Sequence, residues 1–179
     1  MLKTLRQIAR CGIISEPPPP PADELRLRAA LQDEILAIMG RALCIRAVDA
    51  GSCNGCELEI QALSNPVYNI EGLGIRFVAS PRHADLLLVT GPVSAHMRVA
   101  LERTHAATPD PKRVVAVGDC GCTGGIFGER GASLGRVANV IPVDVAVPGC
   151  PPSPTRLLAA IRAAIAPAGR PREPGSSGR

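Results

Sequence analysis

Cys53 and Cys56 stand in the run G-S-Cys53-N-G-Cys56-E-L-E-I, Cys120 in G-D-Cys120-G-C-T-G-G-I-F-G, and Cys150 in V-P-G-Cys150-P-P. Each segment follows a run of apolar, β-prone residues, so each cysteine falls just beyond a strand. In an open parallel sheet the carboxyl ends of the strands share one edge, where loops distant in sequence can build one site. Four thiolates gathered there suit a [4Fe-4S] cluster. Other chemistries use some of the same parts. A C-x-x-C pair also occurs in thioredoxin-like redox enzymes and in half zinc sites. The first leaves Cys120 and Cys150 without a task. Structural zinc usually brings two paired knuckles, whereas here one pair joins two single cysteines. Cys122 stands as an alternative to Cys120, or as a small neighbour outside the ligand set. Cys11, before the prolines, and Cys44, at the far end of its strand, read as structural.

The elements that must hold these residues alternate. Asp23 to Leu43 carries Leu27, Leu31, Ile35, Ile38 and Met39 at helical spacing and leads through Gly40 into a strand at 44–48. A helix at about 57–64, strands at 75–79 and 84–90, and a helix at 94–107 follow. A strand at 113–117 leads into a loop-rich stretch to Val140, then come a strand at 143–147 and a helix at 154–166. Such alternation predicts an α/β fold, a flavodoxin-like open parallel sheet with helices on both faces and the cluster at the carboxyl ends of its strands. Cys56 opens a helix, where free N–H groups and the helix dipole should lower a thiol's pKa. Ser153 is a natural N-cap before Pro154. Glycines at 51, 55, 118, 121, 124, 125 and 149 leave room for a bulky cofactor and amides for its sulfurs.

The domain expectation is an arm, polyproline spacer and helix over 1–43, a cluster-binding α/β domain over 44–166 and a disordered tail over 167–179. In the arm, Leu2, Leu5 and Ile8 oppose Lys3, Arg6 and Arg10, as in a basic amphipathic helix that docks on the domain, a membrane surface or a partner subunit. Pro17 to Pro21 follow as a spacer. Composition narrows the function. The net charge of +4 is spread along the chain, and Tyr68, Phe77 and Phe127 are its only aromatics. Nucleic-acid binding is therefore not expected. The first residues lack a signal peptide's apolar region and cleavage site, and no apolar run nears the length of a membrane span. An intracellular chain with reduced thiols is the expectation.

These motifs, together with I-P-V-D-V-A-V-P-G-C-P-P from Ile141 to Pro152, resemble the small electron-transfer subunit of membrane-bound [NiFe] hydrogenases such as formate hydrogenlyase, over about 43–166. The same superfamily holds the counterpart of that subunit in the NADH-quinone oxidoreductase, complex I. The resemblance implies one [4Fe-4S] cluster on Cys53, Cys56, Cys120 and Cys150, and no catalytic residue in this chain. It implies an oxidoreductase subunit relaying electrons to or from a large [NiFe]-hydrogenase-like subunit. Membrane subunits and a further iron-sulfur subunit complete the implied complex, with this chain peripheral on the cytoplasmic face of the inner membrane. The alternative is a complex I-like subunit passing electrons to quinone. The complex I counterpart usually has adjacent cysteines where this chain has C-x-x-C, which favours the hydrogenase branch. Glu59 matches a glutamate of the complex I branch and reads either as a proton-coupling group or as an exposed polar position, and Glu57 likewise. Arg76, Arg82 and His83 are candidates for contact with the large subunit.

Overall fold

The computed structural model describes residues 23–166, together with Arg6. Helix α1 (Asp23–Met39) leads into β1 (Leu43–Asp49), α2 (Gly55–Ala62), β2 (Ile75–Phe77), β3 (Leu86–Thr90), α3 (Arg98–Ala107), β4 (Arg113–Val117), α4 (Gly118–Thr123), β5 (Val145–Val147) and α5 (Pro154–Ile165). All strand pairings are parallel, in the order β2-β1-β3-β4-β5. This is the expected flavodoxin-like α/β sheet, in which the order of successive strands across the sheet reverses between β1 and β3.

Alternation along the strands builds two cores. Leu86, Leu88, Val115 and Val117 point to one face, where they meet Leu31 and Ile35 of α1, Ile60 of α2 and Leu157, Leu158 and Ile161 of α5. Leu87, Val89, Val114 and Ala116 point to the other, against Leu101 of α3, Val137 and Ile141. With apolar cover on both sides, β3 is buried at every position, which explains its unbroken apolar sequence.

Several element starts differ from the expected ones, for local reasons. The carboxylate of Asp85 accepts from Cys44 N at 2.9 Å and Asp85 N donates to Cys44 O, so β3 begins after it, at Leu86. Asp144 does the same with Val114, accepting from its N–H at 2.8 Å, and β5 begins at Val145. Helix α3 starts at Arg98, because Ser94 N donates to Ala50 O and Ala95 N to Ala132 O. The stretch expected as loop after β4 opens with the six-residue α4, which carries Cys120 and Cys122. The arm, the proline spacer, Cys11 and the tail lie outside the described residues.

Candidate metal centre

Cys53 follows β1, Cys56 lies in the first turn of α2, Cys120 sits in α4 directly beyond β4, and Cys150 follows β5. All four therefore stand at the carboxyl edge. Asp49, the last residue of β1, shapes the first loop: its Oδ1 accepts from Gly51 N and Ser52 N, both at 2.8 Å. Ser52 Oγ then accepts from Asn54 N at 3.2 Å. Asn54 takes a left-handed conformation (φ 72°), which short amide side chains tolerate, and turns the chain into α2. Asp119 couples the other two segments. Its N–H donates to Gly149 O at 2.9 Å and its Oδ1 accepts from Gly149 N at 2.8 Å, so the residue before Cys120 is tied to the residue before Cys150.

The sulfurs are close enough to sense one another. Burial first, then the negative charge of Glu57, Cys53, Cys120 and Cys150, push the Cys56 thiol up to about 12. Cys120 is raised as well, by burial and by the charges of Cys150, Cys53 and Asp119. The expectation that the start of a helix would lower the Cys56 pKa is thus overturned. Partial burial against the first core and the charges of Glu57 and the neighbouring cysteines raise it instead. A metal reverses this balance by replacing the proton.

Backbone without side chains makes the room. A Cβ added at Gly118 (φ +81°) would stand 2.6 Å from Cys56 Sγ, and one at Gly125 (φ +53°) 2.8 Å from Cys120 Sγ. Among the described residues no group of His, Cys, Asp or Glu is arranged to hold a single metal ion. In a [4Fe-4S] cluster each thiolate binds a different iron, so its ligands ring a wider space than those of one ion. Four cysteines at one sheet edge, with glycine clearance beside two of their sulfurs, fit such a group.

Cys122 is turned away from this group. Its Sγ donates to Ala116 O at 3.5 Å and it packs against the second core, across the sheet from Cys56. Burial raises its thiol to about 11, and none of the other cysteines contributes to that shift. Cys44 is buried at the amino edge, where Arg76 Nε donates to its Sγ at 3.4 Å. Arg76, Arg82 and His83 also lie at that edge, remote from the cysteine loops. Ser153 occupies the N-cap position of α5, but its side chain makes no capping hydrogen bond. Glu59 is half-buried. The residue that sequence reasoning undervalued is Glu57, whose two carboxyl oxygens are buried with no hydrogen-bond partner. In the sequence it has the same open standing as Glu59, and adjacency to Cys56 is the signal that could have set it apart.

A family model described as "NADH ubiquinone oxidoreductase, 20 Kd subunit" matches residues 53–164. The chain is 44% identical over 125 residues to a probable membrane-bound hydrogenase subunit, mbhJ, of Pyrococcus furiosus, covering 70% of this chain and 75% of that one. It is 43% identical over 130 residues to formate hydrogenlyase subunit 7 of Escherichia coli, covering 73% of this chain and 51%, about half, of that relative. It is 42% identical over 120 residues to a subunit of the NADH-quinone oxidoreductase of Desulfovibrio desulfuricans, covering 66% of this chain and 64% of that one. A chain in the solved structure of a membrane-bound sulfane sulfur reductase, an archaeal respiratory membrane complex, superposes with a TM-score of 0.62 at 31% identity over 75% of this chain and 73% of that chain. Subunits of this family are iron-sulfur proteins of membrane-bound oxidoreductase complexes. A family match that spans all four edge cysteines, on a sheet with the expected topology, makes this chain a member of the NADH ubiquinone oxidoreductase 20 Kd subunit family.

Proposed function

We propose that Cys53, Cys56, Cys120 and Cys150 hold one [4Fe-4S] cluster, and that the chain relays electrons to or from a large [NiFe]-hydrogenase-like catalytic subunit of a membrane-bound complex. The observation that carries this reading is the placement of these four cysteines at one sheet edge, with side-chain-free backbone at Gly118 and Gly125 against the Cys56 and Cys120 sulfurs and Cys122 on the far side of the sheet. When bound, a cluster with four protein ligands supplies one-electron outer-sphere transfer and leaves no open position for substrate. The chain's own residues provide the holder. Asp49 and Asp119 fix the loops, and Gly118 and Gly125 clear the space beside two sulfurs.

Bond-making chemistry then belongs to the large subunit, and this chain contributes no catalytic residue. Around the cysteine loops Leu58, Ile126 and Phe127 are exposed, Ile126 to 93%. An apolar rim beside a redox centre suits burial against another subunit. Membrane subunits and a further iron-sulfur subunit would complete the complex. Among the described residues no helix is long and apolar enough to cross a membrane. Likeness to subunits of membrane-bound complexes supports the further reading of peripheral attachment, on the cytoplasmic face of the inner membrane.

The test is iron analysis of anaerobically purified protein, expected at about four irons per chain with brown, charge-transfer absorbance. Cys150→Ala should lose the cluster and Cys44→Ala should keep it. Retention of the cluster in the Cys150 variant would refute the ligand assignment. The second reading, a complex I-like subunit that passes electrons to quinone, draws on the 42% identity to the NADH-quinone oxidoreductase relative. Nickel and hydrogen-dependent dye reduction in the purified complex support the first reading; quinone reduction without nickel supports the second.

A further inference from the structure

At the amino edge of the sheet, remote from the cysteine loops, lies a cavity of about 510 Å³. That is within the range of small-molecule sites. Its walls carry four guanidinium groups, from Arg41, Arg76, Arg82 and Arg113, against two carboxylates, Asp85 and Asp110. Pairing removes some of this charge. Arg41 makes a two-pronged contact with Asp85, at 2.6 and 3.0 Å. Asp110 faces Lys112 Nζ at 3.5 Å. Arg113 donates its Nε to Ala164 O at 3.2 Å and stands 3.8 Å from Asp144.

Arg76 and Arg82 are different. Neither guanidinium has a carboxylate partner among the described residues. The one side-chain hydrogen bond of Arg76 runs from Nε to the Cys44 sulfur, which leaves both terminal nitrogens of its fork available. That bond, with the charge of Cys44, holds the Arg76 guanidinium above its ordinary pKa, while the positive charge of Arg41 opposes it. The wall thus keeps two guanidiniums without a carboxylate partner, beside an Asp85 already paired with Arg41. Below them the floor is apolar, from Leu43, Ala84 and Ile165.

We propose that this cavity binds a phosphate ester, its anionic head bridged by Arg76 and Arg82 and its organic part resting on the Leu43 and Ile165 floor. Guanidinium forks match phosphate oxygens two at a time, and a doubly charged head neutralises both unpaired arginines at once. The ester could be a soluble metabolite or the headgroup of a phospholipid; the chemistry of recognition is shared. The site is separate from the cysteine loops and does not depend on the cluster assignment.

The test uses the full chain at low salt. Glycerol 3-phosphate is titrated by calorimetry, and phosphatidylcholine vesicles with and without phosphatidylglycerol are followed by co-sedimentation. Saturable binding is expected, weakened about tenfold or more by Arg76→Gln with Arg82→Gln. Iron content and melting temperature should stay unchanged, because both side chains are exposed. A Lys3→Gln, Arg6→Gln and Arg10→Gln variant should bind as the wild type does, which separates the cavity from the basic N-terminus. Binding of glycerol 3-phosphate identifies a soluble ester, and binding only to phosphatidylglycerol vesicles identifies a headgroup. The proposal is overturned if neither probe binds saturably or if the double variant binds as the wild type. It is equally overturned if the double variant keeps both binding activities and instead loses a copurifying subunit, for the face is then a protein contact.

Discussion

Two cysteines separated by one residue, Cys120 and Cys122, are divided by the sheet. Helix α4 begins where β4 ends, and its tight turn sends one sulfur to the carboxyl edge and the other under the sheet to Ala116 O. Cys120→Ser should therefore abolish iron binding. Cys122→Ser should retain about four irons per chain, since serine can make the same bond to Ala116 O, and should lower the melting temperature slightly by placing a hydroxyl in an apolar setting. Iron analysis of the two variants decides the matter, and the reverse result would exchange their roles. Residue spacing leaves these two cysteines as alternatives, and only the family resemblance points to Cys120. Burial and the charges each sulfur feels are set by which side of β4 it occupies.

Among the elements, the junction of β4 and α4 is the tightest part of the candidate centre. Gly118 needs a left-handed backbone and lies where any Cβ would press on Cys56 Sγ. Gly118→Ala should lose iron and lower the melting temperature. Gly40→Ala is the matched control, with φ +60° and nothing within 4 Å of the added Cβ. Both substitutions carry about 1–2 kcal/mol of backbone strain, so a loss of iron confined to Gly118→Ala isolates the contact with the sulfur. If both variants keep iron, the space beside Cys56 is not needed by the bound group. Strands and helices were legible at this scale because period-two and helical patterns persist over their lengths. Their starts were not, since Asp85, Asp144 and Ser94 divert backbone hydrogen bonds through pairings with distant residues.

For the whole molecule the direction of α1 matters. Only residues 40–42 join it to β1, and Ile38 and Met39 line the amino-edge cavity, so its C-terminal end lies there. Leu31 and Ile35 are buried in the first core, and Glu34 holds Arg162 of α5 at 2.7 and 2.9 Å. A helix of 17 residues is about 25 Å long. Asp23 is therefore carried back toward the carboxyl edge. The basic, apolar-striped sequence before it, Leu2, Leu5 and Ile8 against Lys3, Arg6 and Arg10, is the motive for a test of docking. Deleting residues 1–22 should leave iron content unchanged and release the subunit, with its large-subunit partner, from the membrane fraction. Continued sedimentation with membranes would assign the contact to the folded domain instead.

The sequence by itself determined the alternating α/β order, the parallel sheet and the positions of Cys53, Cys56, Cys120 and Cys150 beyond strand ends, because hydrophobic period and turn residues are local properties. Tertiary structure alone decided what each of these groups experiences. Cys56, at a helix start, has its thiol raised by burial and by the charges of Glu57, Cys53, Cys120 and Cys150, two of which come from segments distant in sequence. Arg76 and Arg82, candidates for contact with a large subunit, stand at the edge opposite the cysteine loops, because β2 and the chain before β3 present them at the amino ends of the strands. Such effects depend on distance in space, and spacing along the chain does not encode it.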